Sequence, residues 1–351
     1  MADPRILLAG DHFVLTRLLA ADLAAADPDG AWDVRELELP WPNEPFSRVA
    51  EVDEASGGEE QMIEALAGVR VCLTQVAPLT ARVLDACPDL ELYAVSRGGP
   101  VNVNLEAATE HGVAVTFAPG RNAAATAEYA VGLMLAAMRR IPHTHAGVLA
   151  GRWESDLYAY DATGLELEGT TVGLVGVGAV GSRVARILLA FGADVVVHDP
   201  YVDPGTLPGV RFVELDELLA ASRVLSLHAR VTDETRGMIG AAEIAALPAG
   251  SVLVNDARGA LLDHAALAAA LRDGHLFAAG LDVFDVEPLP ADHPLRDAPN
   301  LIMTPHLAGA SKATAERASR IVAAEAARWR RGEPPEHCAN PDVLERLKAK
   351  R

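Results

Sequence analysis

Short apolar runs and amphipathic stretches take turns along the chain, and their periods predict the elements. Arg5 to Ala9 (RILLA) reads as a buried strand and Thr16 to Ala26 as a helix. VRELEL, Val34 to Leu39, alternates apolar and polar side chains like a half-buried strand. Pro40 to Gly58, rich in Pro, Asn, Ser and Gly, is predicted to be loop. From Gln61 the alternation resumes: a helix, the strand VRVCL, a helix from Thr80, the strand LELYAV, the helix NLEAATEHG and the strand VAVTF. A second series starts near Thr170, with TVGLV, DVVVHD, RFV, RVLSLH, SVLVND, FAAGLDV and LIMTPH as strand candidates and helices between many of them. A last helix runs from Ala313 to Arg330. Strands alternating with helices imply parallel α/β sheets. Arg121 to Arg140 is a long helix that is apolar on almost every face, so it is expected to be buried all round, between domains or subunits.

Composition narrows this picture. A chain of 351 residues exceeds what one core usually holds, so two domains are expected. Net charge is −19, and only 3 of the 30 cationic residues are lysine, which argues against a broad basic face for nucleic acid or anionic lipid. Cys72, Cys87 and Cys338 are odd in number and scattered, pointing to a reducing compartment and to no structural zinc. No signal-type cleavage site follows the N-terminus, and no apolar stretch approaches the ~18 residues of a membrane span. A cytoplasmic location is the expectation.

The chemistry begins at VGLVGVGAVG, which contains Gly176-x-Gly178-x-x-Gly181. Among 29 glycines this pattern alone says little. Its context is specific: a strand before it, a helix after it, and a second strand ending at Asp199, 18 residues after Gly181. The first glycine permits a tight turn, the second lets backbone approach a pyrophosphate, and the third lets helix and strand pack. The helix N-terminus then offers free N–H groups to phosphates. Asp199 suits ribose hydroxyls and repels a 2′-phosphate, which favours NAD over NADP.

Ligands of open α/β sheets bind at strand carboxyl ends. SVLVNDARG delivers Arg258 there, GLDVFDVEP delivers Asp282 and, just beyond, Glu287, and LIMTPH delivers His306. A guanidinium can bind a substrate carboxylate through two parallel hydrogen bonds. A histidine can exchange a proton with a hydroxyl or ketone, and a carboxylate beside it orients the ring and favours imidazolium. Each residue also has a plainer explanation: a surface ion pair, a solvated turn, a packed histidine. Their joint placement after a dinucleotide motif favours hydride exchange at a 2-hydroxy acid. No His or Cys partner with ligand spacing accompanies His306, so no metal is expected.

These motifs resemble the D-isomer-specific 2-hydroxyacid dehydrogenase family. VGLVGVGAVG, LSLHARVTDETRGMI, VNDARGALLD, AAGLDVFDVEP and TPHLAGA stand in that family's order and approximate spacing, and the likeness runs from about Val69 to Trp329. The resemblance implies that Arg258 anchors the substrate carboxylate and that Glu287 pairs with His306, the acid/base. It implies that Ala179, Val180, Asp199, Ala229, Arg230, Asp256, Ala257, Asp282, His306 and Ala308 line the cofactor together with the three glycines. It also implies a fold of two doubly wound parallel-sheet domains of Rossmann or flavodoxin type. An NAD-binding domain of residues 120–308 would be inserted into a substrate domain of residues 1–119 and 309–351, and the enzyme would be a homodimer. The chain ends soon after its last helix, so a C-terminal regulatory extension is not expected.

Two departures stand out. Where the family often reads GTGVDNVD, this chain has RGGPVNVN, Arg97 to Asn104. Gly98 and Gly99 can still present N–H groups to a carboxylate, and Arg97 is either an added substrate contact or an ordinary surface arginine. Where the family usually has His-x-Pro, this chain has His228-Ala229-Arg230, which alters the expected adenine pocket and leaves an opening for NADP. Two alternatives therefore accompany the dehydrogenase reading: an NAD-sensing corepressor-like protein and an NADP-preferring glyoxylate or hydroxypyruvate reductase.

Overall fold

The computed structural model describes residues 3–42 and 44–345. The chain divides into two compact units, Met1–Asn122 with Ser311–Arg351, and Ala123–Ala310.

The first unit begins with β1 (Arg5–Gly10), α1 (Thr16–Ala26), β2 (Asp33–Glu38), β3 (Ser47–Val49), β4 (Val52–Ala55) and α2 (Glu59–Leu66). It continues with β5 (Val71–Thr74), α3 (Ala81–Ala86), β6 (Leu92–Val95), α4 (Leu105–His111) and β7 (Ala114–Thr116). Five of these strands form a parallel sheet in the order β2-β1-β5-β6-β7. Ranked within the sheet, the order is the flavodoxin-type 2-1-3-4-5. The three inner strands are apolar at nearly every position because both sheet faces are covered. Leu7, Cys72, Tyr93 and Val115 enter one core, while Ile6, Leu8, Val71 and Leu73 enter the other. Edge strand β2 keeps the polar alternation that made it legible.

The stretch from Pro40 to Gly58 departs from the loop expected there. Ser47 pairs with Ala55 and Val49 with Val52 in the antiparallel hairpin β3–β4. Its strands are three and four residues long and mostly polar, too short for a period to register.

The second unit contains α5 (Ala123–Met138), α6 (Ile141–Leu149), β8 (Thr171–Val175), α7 (Gly181–Ala190), β9 (Asp194–His198), β10 (Arg211–Phe212) and α8 (Leu215–Ala221). It closes with β11 (Val224–Leu227), α9 (Ala241–Ala246), β12 (Ser251–Asn255), α10 (His264–Arg272), β13 (Leu276–Leu281) and β14 (Leu301–Met303). The sheet runs β10-β9-β8-β11-β12-β13-β14, parallel throughout. This is the Rossmann order 3-2-1-4-5-6 with one strand added. Helix α5 packs on α7, β12 and β13 of its own unit through Ala127, Ala130, Val131, Met134 and Ala137. Within the single chain Glu128 and Gly132 mark an open face. No helix among the described residues is long and apolar enough to cross a membrane.

The chain then returns to the first unit as α11 (Lys312–Arg330), which packs on α1. Beyond it, residues 337–340 cover edge strand β7. Phe117 N–H donates to His337 O, Ala339 N–H to Val115 O, and Val115 N–H to the Asn340 side-chain oxygen at 2.9 Å. The Asn340 amide donates in turn to Val113 O and Thr109 Oγ1, both at 3.0 Å. This closes an edge that would otherwise present free backbone groups. Asn340→Ala should destabilise the first unit by roughly 1–3 kcal/mol, the penalty for stranding buried backbone groups, seen as a lower denaturation midpoint. An unchanged midpoint would mean that the tail does not hold the edge.

Candidate active site

The glycine-rich turn leaves β8 at its carboxyl end. Gly176 has φ +89°, and a Cβ there would meet the backbone of His228 and Ala229 at about 3 Å. At Gly181 a Cβ would strike Gly176 O, so α7 can start only if that residue lacks one. Gly178 is exposed, with nothing within 4 Å of a Cβ position, and Ala179 is exposed beside it. That open backbone at the start of α7 fits a pyrophosphate. Asp199 follows β9 and closes the turn: its Oδ2 accepts from Val177 N–H (2.8 Å) and its Oδ1 from Tyr201 N–H (3.0 Å). Val180, half-buried, packs on the hydrophobic core. Ala229 and Arg230 follow β11, and Arg230 is exposed. The Tyr201 hydroxyl donates to Glu234 (3.1 Å), a link across the expected adenine end. Neither residue showed a sequence signal, because the pair joins two loops 33 residues apart.

Strands β12, β13 and β14 are adjacent and parallel, so the residues after them share one edge. Asp282 follows β13 and is fully buried. It accepts from Thr304 Oγ1 (2.6 Å) and Leu307 N–H (2.9 Å) at Oδ1, and from Ala308 N–H (2.7 Å) at Oδ2. His306, inside that turn, has φ +55° and donates its own N–H to Asp282 O. Its Nδ1 meets Glu287 Oε2 at 2.9 Å. Glu287 Oε1 accepts from Phe284 N–H, which fixes the carboxylate plane.

The hydrogen bond to Glu287 raises the His306 pKa above its ordinary value, against the pull of burial. For Glu287, burial pushes the carboxyl up, but the bonds from His306 and Phe284 outweigh it and the net shift is downward. Arg258, exposed after β12, adds to that lowering from nearby, and its guanidinium donates to Ala257 O.

Asp256 follows β12. Its side chain is buried against His228, 3.6 Å from Nδ1. Neither carboxylate oxygen has a hydrogen-bond partner among the described residues. Burial, and then the charge of Asp282, push Asp256 up to about 7, while burial pulls His228 down to about 4. The pair lies within ion-pair range, yet desolvation favours the neutral form of both.

A second cluster was missed by sequence reasoning. Asp285 Oδ1 accepts from His264 Nδ1 (2.9 Å) and Val286 N–H (3.0 Å) and lies 3.5 Å from His293 Nε2. Their donor atoms fall within 4.8 Å of one another, a grouping close enough for a metal ion. Here it braces the segment that carries Glu287. The three residues are far apart in sequence and share no ligand spacing. Gly259 packs against the same segment, where a Cβ would overlap Phe284 backbone at 2.0 Å.

Arg97, Gly98 and Gly99 follow β6 in the first unit. The two glycines have open space at their Cβ positions, and Arg97 pairs with Glu54 on β4.

Comparison with known proteins adds a frame. The family described as D-isomer specific 2-hydroxyacid dehydrogenase, NAD binding domain, matches residues 131–308. The chain is 35% identical over 295 residues to a glyoxylate reductase of Korarchaeum cryptofilum, covering 83% of this chain and 89% of that protein. It is 43% identical over 245 residues to the D-3-phosphoglycerate dehydrogenase of Mycobacterium tuberculosis, covering 69% of this chain and 46% of the relative. The chain thus spans about half the length of the phosphoglycerate dehydrogenases it matches. Among solved structures, the TT0316 protein of Thermus thermophilus superposes with a TM-score of 0.77 at 33% identity, over 95% of this chain and 99% of that one.

The Asp256 environment has a measurable consequence. Between its ordinary value of 3.8 and about 7, the unfolded chain releases the Asp256 proton while the folded chain keeps it. Stability therefore falls as pH rises through that window. Asp256→Asn should raise the melting temperature more at pH 8 than at pH 5. Equal shifts at both pH values would show that the buried carboxylate ionises at no cost.

Proposed function

The chain belongs to the D-isomer-specific 2-hydroxyacid dehydrogenase family, and we propose that it transfers a hydride between NAD(H) and a D-2-hydroxy acid/2-keto acid pair. The observation that carries this reading is the 2.9 Å His306–Glu287 pair on the same sheet edge as the glycine-rich turn. NAD, when bound, supplies the hydride chemistry. Gly176, Gly178, Ala179, Val180 and Gly181 would hold its pyrophosphate and Asp199 its ribose, whose 2′-phosphate in NADP that carboxylate would repel. Ala229, Arg230, Asp256, Ala257, Asp282, His306 and Ala308 would line the remainder.

The chain's own groups do the rest. Arg258 takes the substrate carboxylate through its planar fork, with Arg97, Gly98 and Gly99 as further substrate contacts. Glu287 holds Nδ1 of His306, which leaves Nε2 to give a proton to the ketone oxygen or take one from the hydroxyl. Glu287 also stabilises the imidazolium that hydroxyl oxidation produces.

We assign the enzyme to the cytoplasm, in keeping with three free cysteines. A two-fold homodimer is the assembly we favour. Trp153, Tyr158 and Tyr160 are 84%, 95% and 91% exposed in one short stretch after α6, and Ile141, Val148 and Leu149 are exposed on α6 itself. Large apolar side chains gathered in this way mark an interaction surface.

Two measurements test these readings. His306→Ala should lower kcat by roughly 10²–10⁴-fold while NADH still binds, as expected for loss of a general acid–base. Keto-acid reduction needs protonated His306, so its rate should fall as pH rises through that residue's elevated pKa. Glu287→Gln should move the fall to lower pH. Near-wild-type turnover in His306→Ala with the best keto acid would remove this mechanism. Light scattering at micromolar concentration should give twice the 36.9 kDa chain mass, and a monomer there would sink the dimer.

A further inference from the structure

Three elements of the second unit meet at His264, Asp285 and His293. His264 is the first residue of α10, Asp285 lies beyond β13, and His293 caps the helical turn Pro294–Asp297 that precedes β14. Each is held by its surroundings. Asp263 accepts from the N–H groups of Ala265 and Ala266 (2.9 and 3.0 Å), which fixes the start of α10 and with it His264. Val286 N–H donates to Asp285 Oδ1, and Leu295 N–H to His293 Nδ1 at 3.3 Å. The two imidazole planes cross at 73° with centroids 5.8 Å apart, and each ring turns a nitrogen to the same carboxylate oxygen.

The chemistry of this group points to a cation. Asp285 has no lysine or arginine partner among the described residues; its ion-pair partners are the two imidazoles. Nε2 of His264 is buried without a hydrogen-bond partner among the described residues. Asp285 alone therefore fixes the tautomer of that ring, and an ion can take the Nδ1 lone pair with no bond lost at Nε2. The Leu295 bond to His293 is long, so moving the ring proton to Nδ1 and freeing Nε2 costs little. The spacing fits as well. Zn²⁺ holds nitrogen and carboxylate oxygen at about 2.0–2.2 Å, which sets tetrahedral ligands roughly 3.3–3.5 Å from each other. Asp285 Oδ1 is 2.9 Å from His264 Nδ1 and 3.5 Å from His293 Nε2, and the three donors lie within 4.8 Å of one another. The histidine side chains are 2% and 11% exposed, while Asp285 at 48% opens the cluster to water and gives an ion its way in.

We propose that His264, Asp285 and His293 bind a divalent transition ion such as Zn²⁺, and that the ion ties the start of α10 to both ends of the segment carrying Glu287. Two imidazoles beside one carboxylate select such an ion over Mg²⁺ or Ca²⁺, which take oxygen donors. The scattered cysteines spoke against a thiolate zinc site, and this one needs no thiolate. The site is independent of the hydride-transfer reading.

Isothermal titration of chelator-treated, dialysed protein with ZnCl₂ should show one saturable site per chain. Co²⁺ in its place should give the visible d–d bands of an ion held by nitrogen and oxygen. Asp285→Asn and His293→Gln should each weaken Zn²⁺ binding about 100-fold or more and erase the Co²⁺ bands, since losing a mere outer partner already costs roughly 10–100-fold. These two near-isosteric changes, with folding checked by circular dichroism, carry the test in place of the more deeply buried His264. His111→Gln, which breaks the His111–Asp85 pair of the first unit (2.9 Å), should leave the affinity unchanged. Zn²⁺ should also slow hydrogen exchange of the amides from Phe284 to His293 in the wild type and not in the site variants. No saturable binding of either ion overturns the inference. Binding that both site variants retain, or that His111→Gln removes, overturns it as well. Zn²⁺ binding that leaves exchange in the segment unchanged overturns the tie between the ion and that segment.

Discussion

The site depends on one buried carboxylate. Asp282 gathers a hydroxyl and two backbone N–H groups from the turn after β14, and this holds His306 at φ +55°. A left-handed residue other than glycine costs about 1–3 kcal/mol. Hydrogen bonds to a charged acceptor contribute about 1.5–3 kcal/mol each, so three of them outweigh that strain. The backbone conformation is therefore imposed on the histidine by its neighbour. The reach of Nδ1 to Glu287 follows from it. Everything proposed for proton transfer inherits its geometry from this clamp.

Two carboxylates sit at the ends of adjacent strands, and their surroundings separate them. Asp282 is surrounded by donors, whereas Asp256 lies against His228 and has no donor among the described residues. Burial without donors drives Asp256 toward its protonated form, and the charge of Asp282 adds to the drive. Concentrating negative charge on one of the pair spares the sheet edge a second buried anion. Farther out, Asp285 repeats the tactic with histidine donors and steadies the segment bearing Glu287. The half-exposed His306–Glu287 pair thus stands on the fully buried Asp282, with the half-exposed Asp285 steadying its segment.

Much of this was legible in the sequence because it follows from period and punctuation. All seven strands of the second sheet stood out as apolar runs, and the glycine spacing marked β8, its turn and α7. His306, Glu287 and Arg258 could be placed together because each follows a strand of one parallel sheet, and strand ends are visible in sequence. Other features had no local signal. The inward orientation of Asp256 depends on His228, which arrives from another strand. The β3–β4 hairpin is too short and too polar to show a period.

The return of the chain through α11 bears on how the protein is made. Ala318, Val322 and Ala326 of that helix share a core with Ile6, Leu8, Leu19 and Leu23. A ribosome builds the β1–α1 side of this core first and its lid last. The 188 residues from Ala123 to Ala310 intervene. At about 5–20 residues per second, roughly 10–40 seconds pass with an apolar sheet face waiting for its cover. During nascent-chain growth the inserted unit can fold by itself, while the flanking unit remains an incomplete sandwich. Holdase chaperones meet such a face on the emerging polypeptide, so the discontinuous layout sets a need for protection during translation that a chain with the two units in tandem would not have.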